Sequence, residues 1–267
     1  MPLENHIRKV IDQTEKEFNI KVLYACESGS RAWGFPSKDS DYDVRFIYIH
    51  QPNWYLSIDR SRDVIEIPNH DSLSIPVDPL LDMSGWELTK TLKLFRKSNP
   101  PLLEWLRSNM VYYQRFSTID KMKELEKEIF SPASIIYHYL NMAKGNFREY
   151  LQGDTVKIKK YFYVLRPILA AKWTQIYQTV PPMEFETLVH ELIPAGDLLT
   201  SISTLLERKK SGEELSLEPR INLINTFLES EIHELEAYAK GLQKNSEDPT
   251  EQLNELFRFS LKEVWNY

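Results

Sequence analysis

The 267-residue chain contains a single cysteine, Cys26. No disulfide can close within it, so no disulfide partner is expected and a reducing compartment, the cytoplasm, is the natural setting. Cys26 lies in the apolar run "NIKVLYACE" and is expected in the core. No apolar run approaches the ~20 residues of a membrane span. The opening "MPLENHIRKVIDQTEKEF" lacks the apolar stretch of a secretory signal. A strong positive charge is missing too. The chain has 33 Lys and Arg against 39 Asp and Glu, a formal net charge of −6, which argues against a surface that coats duplex nucleic acid and leaves room only for a local basic groove. Three motifs are also lacking. Without HExxH, the scattered histidines do not suggest a zinc hydrolase; without GxSxG there is no serine-hydrolase elbow; without GxxxxGK[ST] there is no P-loop.

Hydrophobic residues make up 42% of the chain, which is ample for a folded core. Ile7, Val10, Ile11 and Phe18 recur at helical spacing, so the chain should open on an amphipathic helix. "NIKVLYACESGS" reads as a buried strand that breaks at Gly29, and "DYDVRFIYIH" as a second strand after a loop of turn formers. "DVIEIP" and "LSIPVDPLLDM" read as two more strands. "SGWELTKTLKLF" reads as a helix whose capping box is Ser84 with Glu87, and "NPPLLEWL" as a short helix capped by Asn99. Strand signals stop near residue 118. "SPASIIYHYLNMAKGNFREYL" and "TVKIKKYFYVLRPILAAKWTQIY" read as long helices, with further helices near 184–193, 196–209, 219–242 and 249–265. The expected architecture is α+β: an N-terminal domain of mixed sheet and helices over 1–117, then an all-α domain over 118–267.

The chemistry concentrates in "ESGSRAWGFPSKDSDYDVR". Asp41 and Asp43 stand two residues apart, which in a strand turns both carboxylates to one face with Cα atoms ~6.6 Å apart. Such a pair suits a hard divalent cation, Mg²⁺ or Mn²⁺, as used in phosphoryl transfer. Gly29 permits a sharp turn and close backbone approach, and the Ser30 hydroxyl and nearby amides can hydrogen-bond phosphate oxygens. Arg31 is a further phosphate candidate. Either motif alone is common; the order strand, Gly-Ser, a loop of about ten residues, Asp-x-Asp, strand is not. Lys157, Lys159, Lys160 and Arg166 give one segment local positive charge. Trp33, Phe35 and Tyr42 flank the acidic loop and are expected to pack rather than stack on a base.

Gly29-Ser30 followed by Asp41-x-Asp43 resembles the signature of the DNA polymerase beta-type nucleotidyltransferase superfamily. The longer stretches "ESGSRAWGFPSKDSDYDVRFIYI", "DMSGWELTKTLKLFRKSNPPLLEWLRS" and "VKIKKYFYVLRPILAAKW" resemble the RlaP family, also called YcgL-like, over about residues 3 to 260. The family is named for a suggested place in RNA repair. The resemblance implies a polymerase beta palm-like sheet in the first domain and a second domain that closes over nucleotide or acceptor. It implies transfer of an NMP from an NTP to a hydroxyl acceptor such as an RNA end. It also implies a third carboxylate on a strand after the Asp-x-Asp strand, for which the candidates are Glu66, Asp78 and Asp82, with Asp82 favoured. Asp41, Asp43 and Asp82 would then be the metal-binding catalytic acids, with Gly29, Ser30, Arg31, Lys160 and Arg166 on the nucleotide. The alternatives are a nucleotide- or RNA-binding regulatory module without turnover, or an enzyme that transfers AMP to protein.

Overall fold

A computed structural model describes residues 2–37, 40–59, 61–213, 215–242 and 248–266. In chain order the elements are α1 (Pro2–Phe18), β1 (Ile20–Glu27), α2 (Gly29–Ala32), β2 (Tyr42–His50), α3 (Pro52–Tyr55), β3 (Val64–Ile67), β4 (Leu81–Glu87), α4 (Leu88–Phe95), α5 (Pro100–Leu106), β5 (Val111–Gln114), α6 (Thr118–Ile129) and α7 (Pro132–Tyr150). There follow β6 (Thr155–Lys157), α8 (Lys160–Tyr177), α9 (Phe185–Leu192), α10 (Asp197–Lys210), β7 (Leu217–Pro219), α11 (Asn222–Lys240) and α12 (Thr250–Trp265). The fold is α+β. No helix among the described residues is long and apolar enough to cross a membrane.

Five strands form one mixed sheet in the order β3-β4-β2-β1-β5. β2 and β4 run parallel; the other neighbours are antiparallel. The sheet's two faces follow from the period of two. Val44, Phe46 and Tyr48 of β2 join Ile7, Val10 and Ile11 of α1 in one buried cluster, so the amphipathic stripe read from the sequence is the face that α1 buries. The opposite face carries Trp86 against Trp105 of α5, ring centroids 3.9 Å apart. Cys26 is fully buried and unpaired with another sulfur, as its surroundings predict.

The start of α4 differs from the expected one. The strand β4 continues through Ser84 to Glu87, and the helix begins only at Leu88. Glu87 is itself the N-cap, accepting hydrogen bonds from the Thr89 and Lys90 amides. Pairing with β2 on one side and β3 on the other holds residues 83–86 extended and outweighs the local capping pattern. Gly85 makes this pairing close. A Cβ there would fall 2.6 Å from Phe46 Cδ2, with two further ring atoms nearer still. Phe46 is fully buried and has nowhere to turn. Gly85→Ala is therefore expected to cost ~2–3 kcal/mol by overpacking and to lower Tm by roughly 5–10 °C. Calorimetry checks this, and an unchanged Tm would refute the packing described.

The chain forms two compact units. The first comprises Met1–Ala32, Ser40–Phe130 and Glu247–Tyr267; the second, Trp33–Asp39 and Ser131–Ser246. These bounds differ from a division at 117/118. Helix α6 stays with the sheet because Ile119 and Met122 are fully buried and the Ser98 hydroxyl donates to the Ile129 carbonyl. Helix α12 completes the same unit. The Thr118 hydroxyl donates to Ser260 Oγ in a buried contact of 2.9 Å, and Phe257 packs edge-on to Tyr55.

The second unit is mainly helical, with α7 packed on α8 and both on α11. Its segment at 155–159 is not the start of a helix. Residues 155–157 pair with β7, and α8 begins at Lys160. Lys157 and Lys159 consequently share no helical face with Lys160 or Arg166. Phe35 is buried between Phe162 and Phe185, so this aromatic is core.

Candidate active site

The C-terminal end of β1 and the N-terminal ends of β2 and β4 lie side by side in the sheet. Glu27 pairs with Val44, and Asp43 pairs with Asp82 in parallel register. The Ser28 amide donates to the Asp43 carbonyl at 2.8 Å, which ties the turn after β1 to the start of β2. Gly29 follows with φ +61°, a conformation that favours glycine. A Cβ on Gly29 would fall 2.8 Å from Asp43 Cγ and closer still to Oδ2. The Asp43 carboxylate thus lies directly over the glycine turn.

Of the three candidates for the third acid, Asp82 alone is in register with Asp43. Glu66 sits on β3 and binds Arg62 at 2.8 Å. Asp78 is spent locally: its Oδ1 accepts the Leu80 amide and its own amide donates to His6 Nε2. Asp41 is exposed and immediately precedes β2. It is near enough for its charge to reach the Asp43 carboxyl. It does not converge fully. Among the described residues, no three His, Cys, Asp or Glu side chains are gathered closely enough to hold a metal ion.

Burial pushes the Asp43 carboxyl above its usual range. Arg45 pulls it back, and the neighbouring Asp82 and Asp41 charges push it further up. Arg45 is the cation that makes this density of acid tolerable. Its Nη2 donates to Asp43 Oδ1 at 3.0 Å and to Asp82 Oδ2 at 2.9 Å, and its Nη1 donates to the Val44 and Asp82 carbonyls, both at 3.1 Å. One nitrogen therefore marks a point where oxygens of two carboxylates meet a positive charge. That donor set is oxygen-only and anionic, which fits a hard divalent cation such as Mg²⁺ or Mn²⁺.

Arg31 is occupied differently from a free phosphate ligand. Its Nε and Nη2 donate to the carbonyls of Asp41 and Ser40 at 3.0 and 2.7 Å, and its guanidinium lies 3.8 Å from the centre of the Tyr42 ring. It fixes the backbone from which Asp41 projects. Ser30 is half-exposed in the short turn α2. In the second unit, Lys160 Nζ stands over Tyr150 and Tyr163 at 4.0 and 4.8 Å from the ring centres. Arg166 is buried there, 4.5 Å from the centre of the Trp33 ring.

Two residues of the site escaped the sequence reading. Arg45 is one; the i+2 alternation that pairs Asp41 with Asp43 also brings Arg45 to that face. Glu27 is the other, hidden at the end of an apolar run. It is fully buried, accepts from the Asp43 amide at 2.9 Å and from the Tyr112 hydroxyl at 2.5 Å, and the Ser108 hydroxyl donates to its carbonyl at 2.8 Å. Burial raises its carboxyl from 4.5 to about 7, against the pull of Tyr112 and the Asp43 amide. A carboxyl raised on folding binds more protons in the folded chain than in the unfolded one. Its contribution to stability is therefore full below about pH 4.5 and declines through the window up to about pH 7. The whole decline is about 3 kcal/mol. Glu27→Gln keeps an acceptor for the Asp43 amide and never ionises. It is expected to melt higher than the wild type at pH 8 and alongside it at pH 4.5. A constant Tm difference across that range would show that Glu27 does not titrate there.

With this geometry in view, comparison with known proteins gives three findings. The model of a family described as the RNA repair pathway DNA polymerase beta family matches residues 3–259. Uncharacterized protein YcgL of Bacillus subtilis (strain 168) is 53% identical over 261 residues, which span 97% of this chain and 97% of that protein. The crystal structure of a nucleotidyltransferase-like protein from Exiguobacterium sibiricum 255-15 aligns with 99% of this chain and 89% of its own, at 8% identity and a TM-score of 0.34. A superposition that loose assigns no shared fold.

Proposed function

The chain belongs to the RNA repair pathway DNA polymerase beta family, and on that premise we propose that it is a nucleotidyltransferase that moves an NMP from an NTP to a hydroxyl acceptor, an RNA end. The acceptor oxygen bonds to the α-phosphorus, the bond from that phosphorus to the α,β-bridging oxygen breaks, and pyrophosphate leaves. The observation that carries the reading is the meeting of Asp43, Asp82 and Gly29 at one end of the sheet's central strands.

Asp43 and Asp82, with Asp41 beside them, are the residues that would hold Mg²⁺ or Mn²⁺. The bound ion would neutralise charge on the phosphates and orient them. Asp82 is half-exposed at the mouth of the site and serves to take up the acceptor's proton. Gly29, without a side chain, leaves room for the Asp43 carboxylate against the turn, and Ser30 Oγ and the turn's amides would be donors for phosphate oxygens beside it. Arg31 acts through the carbonyls of Ser40 and Asp41 and is a positioning residue rather than a phosphate ligand. Most of the rate gain in such a site comes from alignment and fixed charge.

The test is incubation with each α-labelled NTP, Mg²⁺ or Mn²⁺, and total cellular RNA beside total cellular protein. Label is expected in the RNA fraction. Label in protein would transfer the reading to an AMP-transferring enzyme. A rise in Tm with NTP and metal, without pyrophosphate release under any acceptor, would leave a binding module.

A further inference from the structure

The reading above leaves Arg45 without a task. Four hydrogen bonds hold its guanidinium, two through Nη2 to the Asp43 and Asp82 carboxylates and two through Nη1 to backbone carbonyls. Its side chain is largely buried, at 19% exposure, so this is not a wandering surface charge. Resting on the proposed function, we propose that Arg45 is a built-in counter-cation that competes with the divalent metal for the Asp43–Asp82 pair, so that metal enters only as the guanidinium gives up those two carboxylate bonds.

The physical case has three parts. First, Asp43 and Asp82 stand directly opposite each other in parallel register and would repel if left alone. Arg45 supplies the charge that lets β2 and β4 close without metal. Second, carboxylate oxygens bind Mg²⁺ at about 2.1 Å. Nη2 holds one oxygen from each acid at 3.0 and 2.9 Å. Two positive groups cannot both serve those oxygens without confronting each other at short range. Third, the Val44 and Asp82 carbonyls anchor Nη1 independently of the carboxylates. The guanidinium is a rigid fork and must pivot as a whole to release the carboxylates, and the two carbonyls beside it offer Nη1 partners through that small pivot, which makes the exchange local and reversible. Arg45 is thus a positioning residue whose presence weakens metal binding and keeps the metal-free site closed.

The experiment titrates Mn²⁺ into the full chain, followed by electron paramagnetic resonance of the free ion, for the wild type, Arg45→Gln, Arg45→Lys, Asp43→Asn and Asp82→Asn. Losing a charge-assisted competitor should tighten Mn²⁺ binding by Arg45→Gln by about tenfold. Arg45→Lys, which keeps the charge and loses the fork, should fall between it and the wild type. In EDTA, Arg45→Gln should melt below the wild type, and Mn²⁺ should restore most of that loss while changing the wild-type Tm less. A guanidinium that merely holds the two acids in place predicts the reverse: weaker Mn²⁺ binding in Arg45→Gln and no rescue. That result, or equal affinity, overturns the proposal. Should Arg45→Gln not fold, Arg45→Lys alone decides, since affinity at or below wild type is equally fatal. Failure of the underlying function looks different. Mn²⁺ would then bind Asp43→Asn and Asp82→Asn as it binds the wild type, which removes the acid pair as a metal site altogether.

Discussion

Asp43→Asn is expected to cut nucleotidyl transfer by about 10³-fold or more while the protein melts at the wild-type temperature or slightly above it. The two halves of this expectation come from the same contacts. Asparagine has the shape of aspartate, so the packing over Gly29 and the register with Asp82 persist. It lacks the charge that a hard cation requires of its ligand. For stability the sign is the other way. Burial already disfavours the ionised Asp43 carboxyl, and the Asp82 and Asp41 charges add to the penalty. A neutral isostere escapes both. Arg45 keeps the Asp82 carboxylate and two carbonyls as partners, so the substitution leaves no cation stranded. Single-turnover transfer from α-labelled NTP, run beside calorimetry, checks both halves. Transfer that persists within tenfold of wild type would remove Asp43 from the chemistry; a large fall in Tm would recast it as a structural residue.

Much of this site could be read from the chain. Gly29, Asp41 and Asp43 are close in sequence, and strand alternation is the reason to expect the two acids on one face, although β2 begins at Tyr42 and leaves Asp41 just outside it. The partner Asp82 is a non-local matter. Its place was visible only as a preference, because Ser84 to Glu87 matches a helix-capping pattern and Asp82 therefore looked like the last residue before a helix. Pairing on both sides with β2 and β3 decides otherwise, and it is this pairing that puts Asp82 opposite Asp43. Local chemistry cannot announce such a tertiary preference.

The remaining discrepancies have similar causes. In "TVKIKK" the buried Val156 and Ile158 alternate with exposed Lys157 and Lys159, a strand pattern too short to stand out from the long apolar helix that follows. Helix α12 has a clear helical period, yet a period says only that a face is buried. That Ser260 meets Thr118 rather than a neighbour in sequence is a property of the folded chain. Glu27 was overlooked for the opposite reason. A single acid at the end of "VLYAC" reads as the strand's exit into solvent, whereas Tyr112 and Ser108, more than eighty residues on, enclose it.

Gly29→Ala combines backbone strain with a collision, and its expected signature is a transfer loss of ~10²-fold with a stability loss of about 2–3 kcal/mol. The backbone part of the cost is small because alanine tolerates a φ of +61° at modest strain. The side-chain part is not. Asp43 Oδ2 and Cγ stand where the methyl group must go, so the carboxylate has to rotate off the turn. Rotation breaks its bond to Arg45 Nη2 and takes it out of alignment with Asp82. Gly34→Ala is the matched control. Gly34 has φ +84°, and nothing lies within 4 Å of a Cβ placed there, so it bears the same kind of backbone strain without the collision. Measured side by side, Gly34→Ala should lose less stability than Gly29→Ala and keep its transfer rate. If both variants lose activity equally, backbone strain alone is responsible and Asp43 is not held in place by the glycine. If neither does, transfer does not depend on the Asp43 carboxylate resting over this turn.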